Sequence, residues 1–220
     1  MKYAHVYVLF LMLFFHTSCG GQNKTGLPKE KIRFETRDTS TSRWIYTKYA
    51  YTDSTGRSLI IQNSFPRGEK YTDPTGNAYV YAVFWTRIIN ETNNSLGLTI
   101  DFPLDSYELP SSPGNYFKIL LPSDTMTPDK EPLFNYGLTG LASFLDTSLH
   151  KSPSFKRTIN PKESSGFYVV TLFNKGVNGT LRTGLSLKEQ NLFYRINDKE
   201  IHTNLNLKPT KHFTYNRLPM

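Results

Sequence analysis

From residue 43 onward, apolar and polar side chains exchange places with a period of two, and each such run ends in a cluster of turn-forming residues. In RWIYTKYAY (43–51), Trp44, Tyr46 and Lys48 fall on one side and Ile45, Thr47 and Tyr49 on the other, with the aromatic and β-branched content that suits a pleated strand. RSLIIQNSF (57–65) follows, and then NAYVYAVFWTRIIN (77–90). In the latter, Tyr79, Tyr81, Val83, Trp85, Arg87 and Ile89 share one face, while Val80, Ala82, Phe84, Thr86 and Ile88 share the other. Both faces are largely apolar, which predicts a central strand covered on two sides. LTIDFP (98–103), SFKRTIN (154–160), FYVVTLFN (167–174), TLRTGLSLK (180–188) and NLFYRIND (191–198) continue the series. Turn residues recur about every 8–12 positions, the spacing of a sandwich or barrel rather than of alternating strands and helices. The expectation is an all-β, antiparallel β-sandwich of about eight or nine strands in a single domain, 43–220. Two stretches interrupt it. Pro103, Pro110, Pro113 and Pro122 push the strand runs they punctuate toward a sheet edge or end them. In LFNYGLTGLASFLDTSLH (133–150), Leu138, Leu141, Ala142 and Leu145 take helical spacing, which predicts one short helix or helical turn despite Gly140.

Two hexapeptides of the form YTDxTG occupy 51–56 and 71–76. An Asp side chain accepts hydrogen bonds from amides just ahead of it, Pro74 presets its own φ, and the closing glycine supplies positive φ, so each copy is well built as a turn. The alternative is an oxygen-rich cation site with Asp53 and Asp73 as ligands. Calcium takes six to eight oxygens and usually several carboxylates, whereas each loop offers one carboxylate. Turn chemistry is the expectation, and no metal or cofactor is assigned.

Ahead of residue 43 the character of the chain changes. Lys2 is followed by AHVYVLFLMLFF (4–15), an uncharged, mostly apolar run, and then by the small residues Thr17 and Ser18. That is the layout of a secretory signal. The run is shorter than the roughly 20 apolar residues that span a bilayer. Thr17-Ser18-Cys19 resembles the end of the bacterial lipoprotein box, in which the cysteine is acylated and becomes the new N-terminus. His16 stands where that box usually has an aliphatic residue, and bacteria of the Bacteroidetes group use a looser form. The resemblance implies a signal peptide at 1–18, lipidation of Cys19 and a tether at 19–42, whose Gly/polar composition gives coil-like reach. The other reading is an ordinary cleaved signal with a cysteine near the cut. One acyl chain binds a bilayer only marginally, so stable attachment needs several chains on the one sulfur. Cys19 is the sole cysteine, so no disulfide framework exists and the fold rests on its core. About 180 residues remain for folding, enough to bury roughly 70% of the extended chain's surface.

The balance is basic, with 26 Lys+Arg against 18 Asp+Glu, but the cations are scattered and form no phosphate-tracking run. Attraction to anionic lipid or surface polysaccharide fits this better than nucleic acid, which is not expected as a partner. Beyond the signal, His150, His202 and His212 stand in no ligand spacing, and there is neither a GxSxG elbow nor a phosphate loop. The chain is therefore read as non-enzymatic. Aromatic residues make up 14%, with 14 Tyr and 15 Phe. Trp44, Tyr46, Tyr49 and Tyr51 on the first strand, with Tyr79, Tyr81 and Trp85 on the third, are the candidate ligand-binding residues, because Tyr and Trp join a flat apolar ring to a polar tip. Ordinary strand packing also accounts for such rings.

The order YVYAVFWTRIINET, LGLTIDFP, INPKESSGFYVVTLF, LRTGLSLKEQNLFYRI resembles a group of Bacteroidetes lipoproteins and, more broadly, immunoglobulin-like modules. The resemblance covers most of 43–198 and implies an immunoglobulin-like sandwich. That group carries no assigned activity, so no catalytic residue is transferred. The combined expectation is a lipid-anchored cell-envelope protein, at the outer membrane, serving as a non-enzymatic binding or accessory module for a glycan or protein partner. The competing expectation is a periplasmic or surface glycan-acting hydrolase with paired carboxylates.

Overall fold

A computed structural model describes residues 42–52, 56–103, 105–109, 111–177, 179–188, 191–197, 199–201 and 204–209. The signal segment 1–18, Cys19, the tether as far as 41, Asp53, His202 and His212 lie outside the described residues. Antiparallel strands are the main regular structure of the described residues. They are β1 (Ile45–Thr52), β2 (Ser58–Ser64), β3 (Lys70–Thr72), β4 (Ala78–Asn90), β5 (Leu96–Asp101), β6 (Tyr107–Glu108), β7 (Tyr116–Leu120) and β8 (Thr125–Met126). After the helix α1 (Leu141–Ser148) come β9 (Ser154–Ile159), β10 (Ser164–Phe173), β11 (Thr183–Lys188), β12 (Asn191–Ile196), β13 (Lys199–Ile201) and β14 (Asn204–Pro209).

The expected class is observed: all-β, antiparallel and sandwich-like. One large sheet runs β1-β2-β4-β10-β7-β6, with β3 pairing to β4 and β8 to β10. Two three-stranded sheets, β11-β12-β13 and β14-β5-β9, stand apart from it. The centre is the β4–β10 pair, in register from Ser164 opposite Ile89 to Phe173 opposite Val80.

Period-two alternation sorts the β4 and β10 side chains into two cores. On one face Ala82, Phe84, Ile88, Phe167, Val169 and Phe173 pack with Leu98, Ile100, Ile159, Leu185, Leu192 and Ile196 of the small sheets. On the other, Tyr81, Val83, Trp85, Tyr168, Val170 and Leu172 pack with Tyr136, Leu138, Leu141 and Leu145. The two-faced apolar run of the sequence is therefore a central strand, with small sheets over one side and α1 with its approach over the other. α1 lies within the stretch expected to be helical and begins at a left-handed Gly140, φ 64°. Leu141 and Leu145 are its buried residues, while Ala142 faces outward. No helix among the described residues is long and apolar enough to cross a membrane.

The second YTDxTG stretch is a turn held by its own aspartate. Asp73 Oδ1 accepts from the amides of Thr75 and Asn77 at 2.9 and 2.8 Å, Oδ2 accepts from Asn77 Nδ2 at 3.0 Å, and Gly76 closes the turn at φ 90°. The Asn77 and Thr75 hydrogen bonds hold the Asp73 carboxyl down at about 2.

Asn63 on β2 joins the large sheet to β11. Its Nδ2 donates to the Leu185 carbonyl at 3.0 Å and its Oδ1 accepts from the Leu185 amide at 2.9 Å, so one side chain stands in for a strand neighbour. The same amide also engages Thr47 and Thr86, each at 2.9 Å. Next to Leu185, a Cβ on Gly184 would come within 3.1 Å of Asn63 Nδ2, which explains a glycine inside that strand.

Candidate functional site

The sequence-derived aromatic residues do not lie on one surface. Tyr81 is buried and Trp85 is 0% exposed, both in the core beneath α1. Tyr79 is half-buried and packs on Tyr71 with ring centroids 6.1 Å apart. Tyr49 is half-buried beside Tyr51, 6.3 Å away. Trp44 and Tyr46 lie at the start of the edge strand β1. The β1–β2 register shifts between Ile45 and Thr47, so Tyr46 is the extra residue of a bulge, a device that re-aims a side chain at a sheet edge. Trp44 and Ile45 pack against the core beneath α1. Tyr46 turns instead toward Phe65, with centroids 5.4 Å apart, and remains 37% exposed.

Each of these two rings has guanidinium groups over it. Arg182 lies 4.8 Å from the Tyr46 ring and 5.1 Å from that of Phe65. Its backbone is clamped by Asn197, whose Oδ1 accepts from the Arg182 amide at 2.8 Å and whose amide donates to the Arg182 carbonyl at 2.7 Å. Arg43 and Arg67 stand 4.2 and 4.3 Å from the Trp44 ring, and Arg67 is also 4.2 Å from Tyr136. A cation over an aromatic face is attracted by the ring quadrupole, by about 0.5–1 kcal/mol at an exposed site.

Beside Trp44 lies a feature that the alternation does not reveal. Residues 131–137, EPLFNYG, end in three successive left-handed positions: Asn135 (φ 43°), Tyr136 (φ 57°) and Gly137 (φ 70°). Left-handed backbone costs an ordinary residue roughly 1–2 kcal/mol, less for Asn and almost nothing for Gly. The packing around Tyr136 compensates. Its hydroxyl donates to the Phe65 carbonyl at 2.7 Å, its carbonyl accepts from the Tyr168 hydroxyl at 2.7 Å, and its ring meets Trp85 edge-on at 6.2 Å. Asn135 Nδ2 donates to the Tyr81 hydroxyl at 3.0 Å, and Arg67 donates to the Leu133 carbonyl. Burial raises the Tyr136 pKa and pushes that of Tyr168 up to about 12, so both phenols remain neutral donors at pH 7. This rigid base holds Leu133 and Phe134 outward, 50% and 67% exposed.

At the start of the same segment, Glu131 is buried and ion-paired with Arg87 of β4, Nη2 to Oε1 2.6 Å. Arg87 Nη1 also donates to Gln62 at 3.3 Å, and the second Glu131 oxygen accepts from the Ser42 hydroxyl at 2.7 Å. Ser42, the first described residue, is thereby held beside this turn.

The arrangement brings together exposed aromatic faces with guanidinium partners and an apolar pair on a fixed support, groups suited to non-covalent contact. Leu133, Phe134, Arg67 and the Arg87–Glu131 pair were missed by the sequence reading. The signal for Leu133 and Phe134 was Asn135 followed by Gly137, residues that tolerate left-handed φ, immediately after an apolar pair; nothing local marks Arg67 or the Arg87–Glu131 pair. His150 is exposed. The chain matches no known protein family, curated protein or solved structure.

Proposed function

We propose that this chain is a lipid-anchored, non-enzymatic module of the bacterial cell envelope, held through acylated Cys19 at the outer membrane, with an immunoglobulin-like sandwich that binds a glycan or an envelope protein. The support for the anchor is the uncharged apolar run that ends in Thr17-Ser18-Cys19. The observation that carries the binding role is Tyr46. Its ring is raised out of β1 by a bulge, backed by Phe65 and flanked by Arg182, an arrangement suited to stacking on a sugar ring or an apolar side chain.

A glycan array probed with the purified full chain tests the recognition role. Glycans retained by the wild type should bind Tyr46→Ala roughly tenfold more weakly, a loss of about 1.4 kcal/mol. Equal binding by the variant would refute the role of this surface. Release of new reducing ends from the bound glycans would favour a hydrolase instead.

A further inference from the structure

We propose that Arg157 of β9 forms, with Thr125 of β8, a binding site for an oxyanion: a carboxylate, or a group of the phosphate or sulfate type. The site is separate from the Tyr46 surface and does not depend on it. β9 pairs with β5 alone and is an edge of its sheet. Along it Ser154, Lys156 and Thr158 are exposed, while Phe155, Arg157 and Ile159 take the opposite, covered face. Phe155 and Ile159 meet the core there, the Phe155 ring 5.0 Å from that of Phe167 on β10. A cation therefore occupies a position where the alternation calls for an apolar side chain.

That cation has no counter-charge. Arg157 is half-buried, its guanidinium 5.2 Å from the Phe155 ring, and it is in no ion pair among the described residues. Burial lowers its pKa, and no carboxylate offsets that effect. Of the charges next to Thr125, Lys130 donates to the Thr125 carbonyl at 2.9 Å and is offset by its neighbour Asp129, while Asp124 is exposed and makes no hydrogen bond to Arg157. Charged groups withdrawn from water are ordinarily paired, so an inward-facing arginine held only by neutral acceptors calls for an anion.

The way its N–H groups are used points to where that anion sits. Nη1 donates to Ser165 Oγ at 3.1 Å and to the Gly166 carbonyl at 2.9 Å, which uses both of its hydrogens. Ser165 is 7% exposed, and Met126 packs so closely on Gly166 that a Cβ there has no room, so this end of the guanidinium is gripped by a strand that cannot shift. The other edge, Nε with Nη2, has no hydrogen bond at Nε, and Nη2 makes only a long 3.4 Å contact with the hydroxyl of the exposed Thr125. Those two N–H groups form the side-on fork that matches two oxygens of a carboxylate, phosphate or sulfate. Thr125 Oγ1 retains its own proton and can donate to the same anion. A clasp between the two sheets accounts for Nη1 alone. An inward charge on an edge strand also discourages further strand pairing, but that role asks nothing of the fork.

The test follows the Arg157 Nε–H resonance of the isotope-labelled full chain by NMR, assigned by its disappearance in Arg157→Lys. Acetate, inorganic phosphate and sulfate are titrated separately, each against sodium chloride at equal ionic strength. The resonance should move saturably with an oxyanion, half-way in the millimolar range, and stay nearly still with chloride. Saturation by acetate alone assigns the site to carboxylates, and saturation by all three assigns it to oxyanions in general; either supports the proposal. Thr125→Val, which keeps the fork and removes the hydroxyl, should weaken the binding several-fold. A shift that is linear, absent or matched by chloride overturns the site and leaves Arg157 a clasp between sheets. Unchanged affinity in Thr125→Val overturns it too, because the anion would then lie elsewhere. So does saturation seen only in Asp124→Asn, since the chain's own carboxylate would then fill the fork.

Discussion

Asn63 shows how much one polar side chain can carry when every one of its groups is used. It is 1% exposed, yet its amide meets Thr47, Thr86 and both backbone groups of Leu185. Truncation would leave the Leu185 N–H and C=O unpaired in the core, at about 1–3 kcal/mol for each buried unsatisfied group. Asn63→Ala should therefore lower unfolding stability by about 3 kcal/mol, seen as a reduced denaturant midpoint with an unchanged slope. A loss below about 0.5 kcal/mol, the range of an ordinary surface substitution, would show that the bridge is dispensable. None of this was legible in RSLIIQNSF, where Asn63 looks like any polar residue near a strand end, because its partner lies 122 residues further along.

The β4 strand and the 131–137 turn depend on each other in the same way. Arg87 and Glu131 form a buried pair, and removing one partner of such a pair typically costs about 3–5 kcal/mol, because the other charge is left stranded. Arg87→Met should destabilise the domain by that amount in thermal unfolding, and Arg87→Met with Glu131→Leu should recover most of it. If the double variant is no more stable than the single one, the cost arises from lost packing over Trp85, whose ring lies 4.9 Å from the guanidinium. Most elements long enough to alternate were readable: β1, β2, β4, β5, β9, β10, β11 and β12 fall where the sequence places strands, whereas β7 among the prolines and β14 at 204–209 were not anticipated. β3, β6, β8 and β13 are two or three residues long and carry no period to detect. The left-handed turn escaped for another reason: periodicity reports which face a side chain takes, not the sign of φ.

Taken together, the molecule is a central sheet covered unequally, by two small sheets on one face and by α1 with its tyrosine-rich approach on the other. The two-faced apolar character of 77–90 made that layering legible, and it should also have argued against Trp85 and Tyr81 as surface ligands, since a strand covered on both sides exposes neither. Which strands pair was not legible, because β5 with β9 and β14, or β10 with β7 and β8, are matched across long separations by the whole core. The proposed role places this layered domain at a membrane. Intact-mass measurement of the chain extracted from the membrane fraction, with and without the signal-peptidase inhibitor globomycin, tests that placement most directly. The account predicts a chain beginning at Cys19 and heavier by several acyl groups, replaced by the uncut precursor under inhibitor. A chain retaining residues 1–18 without inhibitor, or one beginning at Cys19 with a free thiol and recovered in the aqueous fraction, would contradict it.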